Sequence, residues 1–156
     1  MITALFPGTF DPPTLAHQEI IERASKLCDK LYVAVVENEG KPGSLIPVKE
    51  RVALLKKLVK SWENVEVISF KGLVVDCAKE KKANVLVRGV RNARDLEYEM
   101  QMASANKGMT GIETVCLLAS PQYCQISSTL VREIAAGGGC LKGFVDEGVI
   151  EGLKSR

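Results

Sequence analysis

Hydrophobic residues along the chain follow two periods that alternate, and this alternation predicts strands that are each followed by a helix. Short apolar runs of the kind that form buried strands occupy residues 3–6, 31–36, 65–70, 84–87 and 114–119. The run at 31–36 is apolar without interruption, which is typical of a parallel strand covered on both faces. The pattern therefore predicts five strands.

The segments between these runs carry apolar residues at helical spacing. They predict helices over 16–28, from Pro47 onward, and over 73–81, 95–106, 127–136 and 144–153. In the first of these helices, one face is predicted to carry Ile20, Ile21, Ala24 and Leu27. The helix at 127 opens on a Ser-Ser-Thr cap and ends at three glycines.

Strand–helix alternation of this kind predicts right-handed crossovers and a parallel sheet. We expect an α/β fold, a Rossmann-like doubly wound sheet of five parallel strands with helices on both faces. No repeat or linker divides the chain, so residues 1–156 are expected to form one domain. Ligands of such sheets bind beyond the carboxyl ends of the strands, near the point where the strand order reverses.

Composition excludes several functional classes. With 156 residues and a net charge of +2, the chain lacks the basic surface that a nucleic-acid partner requires. It has no run that could cross a membrane, and its first residues do not form a signal peptide. The five cysteines show no C-x-x-C or zinc spacing, which favours free thiols in a reducing compartment. We expect a cytoplasmic protein.

Residues that can bind phosphate follow four of the predicted strands. These segments are PGTFDP at 7–12 with Thr14 and His17, then Gly40 and Lys41, then RGVR at 88–91, and finally ISST at 126–129. The ends of parallel strands meet at one edge of a sheet, so we expect these segments to converge. The sequence therefore predicts a phosphate-binding cleft.

His17 is the only histidine and is predicted to lie in the first turn of a helix, where the helix dipole disfavours the charged ring. A neutral ring can still donate one hydrogen bond to a phosphate oxygen. On position alone, a solvated surface histidine is about as expected as a functional one. The preceding motif at 7–12 favours the functional role. Lys41 is predicted to lie in a loop, where most lysines are merely solvated. Its place beyond the second strand favours a contact with a phosphate group.

Arg88 and Arg91 flank Gly89, and a guanidinium can hold two phosphate oxygens at once. The alternative is a set of salt bridges at a helix start, which accounts for Arg94 better than for Arg88; their acidic partners would be Asp95, Glu97 and Glu99. The hydroxyls and free N–H groups at 127–129 combine capping with anion binding, since both use the same groups.

These motifs resemble a known family. GTFDP at 8–12 with His17 resembles the first signature of the nucleotidyltransferase superfamily related to class I aminoacyl-tRNA synthetases, and ISST at 126–129 with Arg132 resembles its second. The run from RGVR at 88–91 through Asp95, EYEM at 97–100 and Asn106 is similar to the phosphopantetheine adenylyltransferases, bacterial enzymes of coenzyme A synthesis. The resemblance extends from about Ala4 to the tail.

The resemblance implies transfer of AMP from ATP to 4′-phosphopantetheine, giving dephospho-coenzyme A and pyrophosphate, with Mg²⁺ as cofactor. It further implies a homohexamer and feedback binding of coenzyme A. The matching positions imply catalytic roles for His17, Lys41 and Arg91. They imply acceptor contacts at Thr9, Lys41, Val74 and Arg88. They imply ATP contacts at Thr9, Phe10, His17, Gly89, Val90, Arg91, Glu99, Tyr123, Cys124, Gln125, Ile126, Ser127, Ser128 and Thr129.

These residue types suit that chemistry. A phosphate nucleophile is already ionised at neutral pH, so the site needs donors and cations more than a strong base. Mg²⁺ can be carried on phosphates with few protein ligands, so we expect no metal-binding residue and assign Asp11 to a turn. Two features depart from the family pattern. Ala16 replaces the usual glycine before the histidine, and the loop at 42–47 is one residue longer.

Other functions fit parts of the sequence. A transferase of the same superfamily could act on another acceptor, such as nicotinate mononucleotide or, with CTP, glycerol 3-phosphate. The spacing of Thr14 and His17 and the run from Arg88 to Asn106 argue against it. A non-catalytic nucleotide-binding module would have little need of His17, Lys41 and Arg91 together. A dinucleotide-binding redox protein is disfavoured because no G-x-G-x-x-G follows the first strand.

Overall fold

The computed structural model describes residues 1–38 and 42–156, so Lys41 lies outside the described residues. Five parallel strands form one sheet in the order β3-β2-β1-β4-β5. They are β1 (Thr3–Gly8), β2 (Lys30–Val36), β3 (Val65–Phe70), β4 (Val85–Val90) and β5 (Glu113–Leu118). The helices are α1 (Leu15–Ser25), α2 (Val48–Leu58), α3 (Val74–Glu80), α4 (Ala93–Thr110), α5 (Ser128–Ala136) and α6 (Glu147–Lys154). The predicted α/β fold is confirmed.

Alternate residues of β1 supply two separate cores, because successive side chains of a strand point to opposite faces. Phe6 packs with Ile20 and Ile21 of α1 on one face. Leu5 packs with Cys77 and Ala78 of α3 on the other. Helices therefore cover both faces of the sheet, as predicted.

A third core attaches the carboxyl-terminal helices to the start of α1. Val131 of α5 and Val149 of α6 are fully buried in a cluster that includes Ala16. The backbone N–H of Leu15 also donates to the carbonyl of Phe144 over 2.9 Å. This packing brings the start of α5 beside the start of α1. Within the described ranges, no helix has the length and apolar content to span a bilayer.

Several predicted boundaries differ from those observed, and the differences in β4, α1 and α4 have a structural reason. Strand β4 continues past residue 87, because Arg88, Gly89 and Val90 pair with β5 although the apolar run has ended. Helix α1 ends at Ser25, so Leu27 is 61% exposed and does not share the buried face. Helix α4 extends beyond residues 95–106 at both ends, since Asn92 caps its start and Gly111 ends it with a φ of 77°.

Strands β1 and β4 separate towards their carboxyl ends. β1 pairs with β2 as far as Gly8 and Val35, but it pairs with β4 only at Ala4–Val85 and Leu5–Leu86. The strand order also reverses between β1 and β4. An open cleft therefore lies where a doubly wound sheet is expected to bind its ligand.

Candidate active site

A cavity of about 370 Å³ fills the cleft between β1 and β4. Three of the four predicted phosphate-binding segments meet there, and the fourth, at residues 40–41, lies outside the described residues. The predicted site residues that line the cavity are Thr9, Phe10, His17, Arg88, Gly89, Val90, Arg91, Glu99, Ile126, Ser127, Ser128 and Thr129. The convergence inferred from strand ends is thus present in the fold.

His17 is held at the start of α1 by Thr14, the N-cap residue. The backbone N–H of Thr14 donates to Nδ1 of His17 over 3.0 Å, and the backbone N–H of His17 donates to Oγ1 of Thr14 over 3.3 Å. This reciprocal pair is a capping box in which histidine takes the place of the usual Glu or Gln. An N–H group can only donate, so Nδ1 accepts and the neutral ring carries its proton on Nε2.

The same surroundings keep the ring neutral. Burial lowers the pKa of His17 from 6.5 to about 4, and the positive charges of Arg91 and Arg88 act in the same direction. At neutral pH the cavity therefore contains an uncharged imidazole whose Nε2–H is free to donate.

The ring of Phe10 packs against that imidazole. It is 1% exposed, and its ring centroid lies 4.8 Å from that of His17 at an interplanar angle of 64°. Its φ of 51° is uncommon for a residue other than glycine. A Cβ added at Gly8 would lie 3.0 Å from the Phe10 ring, so only glycine leaves room for it without displacement. Phe10 therefore exposes almost no surface to a ligand.

Arg88 reaches across the cleft and is fixed by Glu99. Its Nε and Nη2 each donate over 2.9 Å to the two carboxylate oxygens of Glu99, while Nη1 donates to the carbonyl of Pro7 over 2.8 Å. Glu99 is 6% exposed, so this is a largely desolvated bidentate pair. Two of the five N–H groups of Arg88 remain for a ligand.

Arg91 joins the end of β4 to the loop before α5. Its backbone N–H and Nε each donate to Oδ2 of Asp95 over 3.0 Å, and Nη1 donates to the carbonyl of Ile126 over 3.3 Å. The alternative interpretation of these arginines is thus partly correct, since salt bridges to Asp95 and Glu99 do form. Their partners are Arg91 and Arg88, however, and Arg94 has no ion pair within the described residues.

The start of α5 forms the opposite wall of the cavity. Oγ of Ser127 accepts from the backbone N–H of Leu130 over 3.1 Å, which confirms the predicted cap. Oγ of Ser128 donates to the carbonyl of Pro12 over 2.9 Å and so joins α5 to the turn after β1. Free N–H groups at a helix start favour anions.

Val74 lies in a second, smaller cavity of about 130 Å³ that adjoins the first. The two cavities share Pro7, Arg88 and Glu99. The smaller one is also lined by Tyr98, Met102, Asn106 and Thr114. Among the described residues, no hydrogen bond is formed by the side-chain amide of Asn106, and Oγ1 of Thr114 is buried without a partner. Two polar groups in this cavity are therefore available to a ligand.

Three residues implied as ATP contacts by the resemblance lie elsewhere. Tyr123 packs against the α5–α6 core, Sγ of Cys124 donates to the carbonyl of Pro121, and Gln125 is exposed. In the part of the chain that the structure describes, these residues line neither cavity.

Carboxylates near the cavity are already engaged. Asp11 accepts from the backbone N–H groups of Leu45 and Ile46, each over 2.8 Å, which is the turn role expected for it. Asp95 and Glu99 are paired with arginines. Between residues 1–38 and 42–156, no group of three metal-ligating side chains is present. This donor set fits a Mg²⁺ ion carried on nucleotide phosphates.

Sequence reasoning missed some contributors to the site. Ala16, noted only as a departure, lines the cavity while its methyl group packs with Ile126 in the third core. Arg51 of α2 is not among the predicted site residues, yet it is 3% exposed and donates to the carbonyl of Thr9. No signal in one sequence distinguishes a buried helical arginine from an exposed one.

Comparison with known proteins agrees with this geometry. A family model described as cytidylyltransferase-like matches residues 5–134. Phosphopantetheine adenylyltransferase from Clostridium botulinum (strain 657 / Type Ba4) is 45% identical, covering 100% of this chain and 95% of that protein. The enzyme of the same name from Caldanaerobacter subterraneus subsp. tengcongensis is 46% identical, covering 100% and 98%.

Solved structures show the fold alone. A putative nicotinate-nucleotide adenylyltransferase from Vibrio parahaemolyticus superposes with a TM-score of 0.71 over 98% of this chain and 99% of that one, at 19% identity. A lipopolysaccharide core biosynthesis protein from Thermoplasma volcanium gives a TM-score of 0.55 at 24% identity, covering 77% and 97%. The sequence similarity is more specific, and it places this chain in the cytidylyltransferase-like family, among the phosphopantetheine adenylyltransferases.

Proposed function

We infer that the chain is an enzyme that transfers the adenylyl group of ATP to 4′-phosphopantetheine, releasing pyrophosphate and forming dephospho-coenzyme A. The observation that carries this inference is the cavity between β1 and β4. It combines a neutral histidine donor, two arginines and the start of α5 in a chain that is 45% identical over its full length to a phosphopantetheine adenylyltransferase.

The larger cavity suits the nucleotide. The start of α5 supplies free N–H groups and hydroxyls for phosphates. The Nε2–H of His17 and the guanidinium of Arg91 are donors for the charge that builds up as the α-phosphorus is attacked. The acceptor phosphate needs no general base, so alignment and charge stabilisation are what these residues provide. We propose that Lys41 adds a further cation, as the resemblance implies.

The smaller cavity suits the pantetheine arm. That arm carries two amide groups and is otherwise largely apolar. The cavity offers Val74, Met102 and Tyr98 as apolar walls, with the amide of Asn106 and the hydroxyl of Thr114 free to bond. Arg88 lies at the boundary between the two cavities, where the phosphate at the end of the arm would meet the nucleotide.

We propose that Mg²⁺ accompanies ATP, bound by its phosphates and water. Its chemical contribution would be to offset charge on the leaving pyrophosphate. The engaged state of Asp11, Asp95 and Glu99 supports a metal that arrives with the nucleotide.

We propose a homohexamer, the assembly that the resemblance implies. Helix α4 buries only two residues, Glu99 and Asn106, although it is 18 residues long. The exposed large apolar residues of α4 and β5 are Leu96, Tyr98, Met100, Met102, Met109, Val115 and Leu118. Such a face supports burial against other copies. Mass photometry checks it: Met100→Glu with Leu118→Glu should yield monomers or smaller oligomers.

Two further expectations follow from the proposed activity. Coenzyme A contains both an adenylyl group and a pantetheine arm, so we propose that it competes for both cavities as a feedback ligand. We also propose a cytoplasmic location, which is supported by five cysteines that are all free thiols.

The activity is tested with purified protein, ATP and Mg²⁺, with pyrophosphate release and product mass as readouts. Phosphopantetheine should give dephospho-coenzyme A, and nicotinate mononucleotide should give no product above the level without acceptor. Turnover only with nicotinate mononucleotide would show that this compound, and not phosphopantetheine, is the acceptor. ATP binding without any product would show that the chain is a non-catalytic nucleotide-binding module.

A further inference from the structure

Residues 7–12, which are the last two residues of β1 and the turn after it (together called the 7–12 turn), are held by side chains from three other elements. The carbonyl of Pro7 accepts from Arg88 of β4, that of Thr9 from Arg51 of α2, and that of Asp11 from Arg132 of α5, over 2.8, 2.7 and 2.8 Å. Oγ of Ser128 donates a hydrogen bond to the carbonyl of Pro12. Three guanidinium groups thus fix three alternate peptide units of one turn.

Arg51 is the most buried of these three arginines. It is 3% exposed, whereas Arg88 and Arg132 are half-buried, and like Arg132 it lies outside the 370 Å³ cavity. No carboxylate within residues 1–38 and 42–156 pairs with it; its partners there are the carbonyls of Thr9 and Ile46, at 2.7 and 2.8 Å. Burial disfavours a cation that has no counter-ion, and these two carbonyls are the groups that compensate the buried guanidinium.

Asp11 completes the link from the other side. Its carboxylate accepts from the backbone N–H groups of Leu45 and Ile46, while Arg51 donates to the carbonyl of Ile46. Ile46 is therefore bonded through both of its backbone groups, and it is 1% exposed. The 7–12 turn and the segment before α2 are joined as one unit.

The carbonyl that Arg51 holds belongs to the peptide unit directly before Phe10. Phe10 has a φ of 51°, a strained conformation for a residue other than glycine that persists only when neighbouring groups impose it. Rotation of the Thr9–Phe10 peptide unit would change that φ, and with it the position of the ring that lies 4.8 Å from His17.

We propose that Arg51 is a positioning residue for the adenylyl transfer. By fixing the Thr9 carbonyl, it holds Thr9 towards the substrates and keeps the Phe10 ring against His17, so that Nε2–H points at the reacting phosphate. This role rests on the proposed function. It predicts an effect on turnover greater than the effect on ATP binding.

The test compares Arg51→Met and Arg51→Lys with Lys56→Met. Lys56 is exposed on the same helix, so its substitution removes one positive charge from α2 without touching the turn. Arg51→Met should lower kcat by roughly 10–100-fold with little change in the KM for ATP, because small misplacements of catalytic groups cost about that much. Arg51→Lys should retain more activity, since one ammonium can serve one of the two carbonyls. Lys56→Met should behave like the parent.

Two readouts separate positioning from general stability. His17 is the sole histidine, so its ring protons give one assignable set of NMR signals. The ring-current shift that Phe10 causes in these signals should become smaller in folded Arg51→Met. Millimolar guanidinium should restore part of the turnover of Arg51→Ala, because the site adjoins an open cavity of about 280 Å³. Matched sodium chloride should not.

The proposal is overturned if folded Arg51→Met keeps kcat and an unchanged His17 spectrum, within about twofold of the parent. If Arg51→Met does not fold, Arg51→Lys decides, and parental turnover by that variant overturns the proposal. If the parent forms no dephospho-coenzyme A, the proposed function fails, while the His17 spectrum of Arg51→Met still reports whether Arg51 holds the ring.

Discussion

The backbone N–H of Thr14 donates to Nδ1 of His17 over 3.0 Å, and this bond decides which ring nitrogen can serve the substrate. With Nδ1 occupied as an acceptor, the proton of the neutral imidazole resides on Nε2. Capping and catalysis are therefore coupled, because Thr14, which caps α1, also sets the tautomer of the histidine three positions later.

Loss of the imidazole donor should lower turnover with little effect on binding. His17→Ala should reduce kcat at least ~100-fold, the usual cost of losing one oriented transition-state donor. His17→Gln should retain more activity, because its amide can place an N–H near the position of Nε2. Steady-state kinetics with both substrates checks this. Parental turnover by purified His17→Ala would remove His17 from the mechanism.

The His17 ring should titrate near pH 4, well below the ordinary value of 6.5, because burial and the charges of Arg91 and Arg88 oppose its protonation. The unfolded chain then binds the proton first. Through His17, the folded state should therefore lose stability as the pH falls below 6.5 towards 4, and should be unaffected at higher pH.

NMR of the single histidine measures this pKa directly. Arg91→Gln should raise it towards 6.5, since one of the opposing charges is removed. Lys26→Gln, at an exposed position just after α1, removes a charge that does not contribute and should leave it unchanged. A midpoint near 6.5 in the parent would mean that the ring is solvated, and a cationic His17 would then be available at mild acidity.

The ion pair between Arg88 and Glu99 should matter for both stability and acceptor binding. Glu99→Gln leaves the Arg88 guanidinium without its bidentate partner, so the free energy of unfolding should fall by about 1–3 kcal/mol. The KM for phosphopantetheine should rise more than that for ATP, because Arg88 lies between the two cavities.

Glu97→Gln is a matched control, since Glu97 is exposed on the same helix. Denaturant titration and kinetics of both variants provide the measurements. Equal acceptor KM values for Glu99→Gln and the parent would show that Arg88 does not depend on this pair for its orientation.

Much of the fold was accessible from the sequence because its signals are local. The apolar runs at 31–36 and 65–70 predicted β2 and β3 to within one residue, since both strands are mainly apolar. The end of β4 was not accessible in this way. Arg88 and Gly89 interrupt the apolar pattern, but they pair with Cys116 and Leu117 of β5 through the backbone, and backbone pairing does not depend on side-chain polarity.

The site could be predicted in its location but not in its internal bonding. Strand ends placed His17, Arg88 and Ser128 in one cleft, and they line one cavity. The sequence suggested Glu99 as a salt-bridge partner but did not show that it would pair with Arg88, or that Arg51 would be buried, because both depend on tertiary contacts. Lys41 stays a prediction, since it lies outside the described residues.

The amide of Asn106 should contribute to recognition of the acceptor and not of the nucleotide. Asn106 is 8% exposed and lines the smaller cavity, where its side chain is available to a substrate amide. Asn106→Leu keeps the branched shape of the side chain but removes the hydrogen bond, so the KM for phosphopantetheine should rise about tenfold, equivalent to roughly 1.4 kcal/mol. Calorimetric titration with a non-hydrolysable ATP analogue should give the parental affinity. Gln101→Ala, at an exposed polar position on α4 outside both cavities, is the control. A fall in ATP affinity with no change in acceptor KM would assign the smaller cavity to the nucleotide.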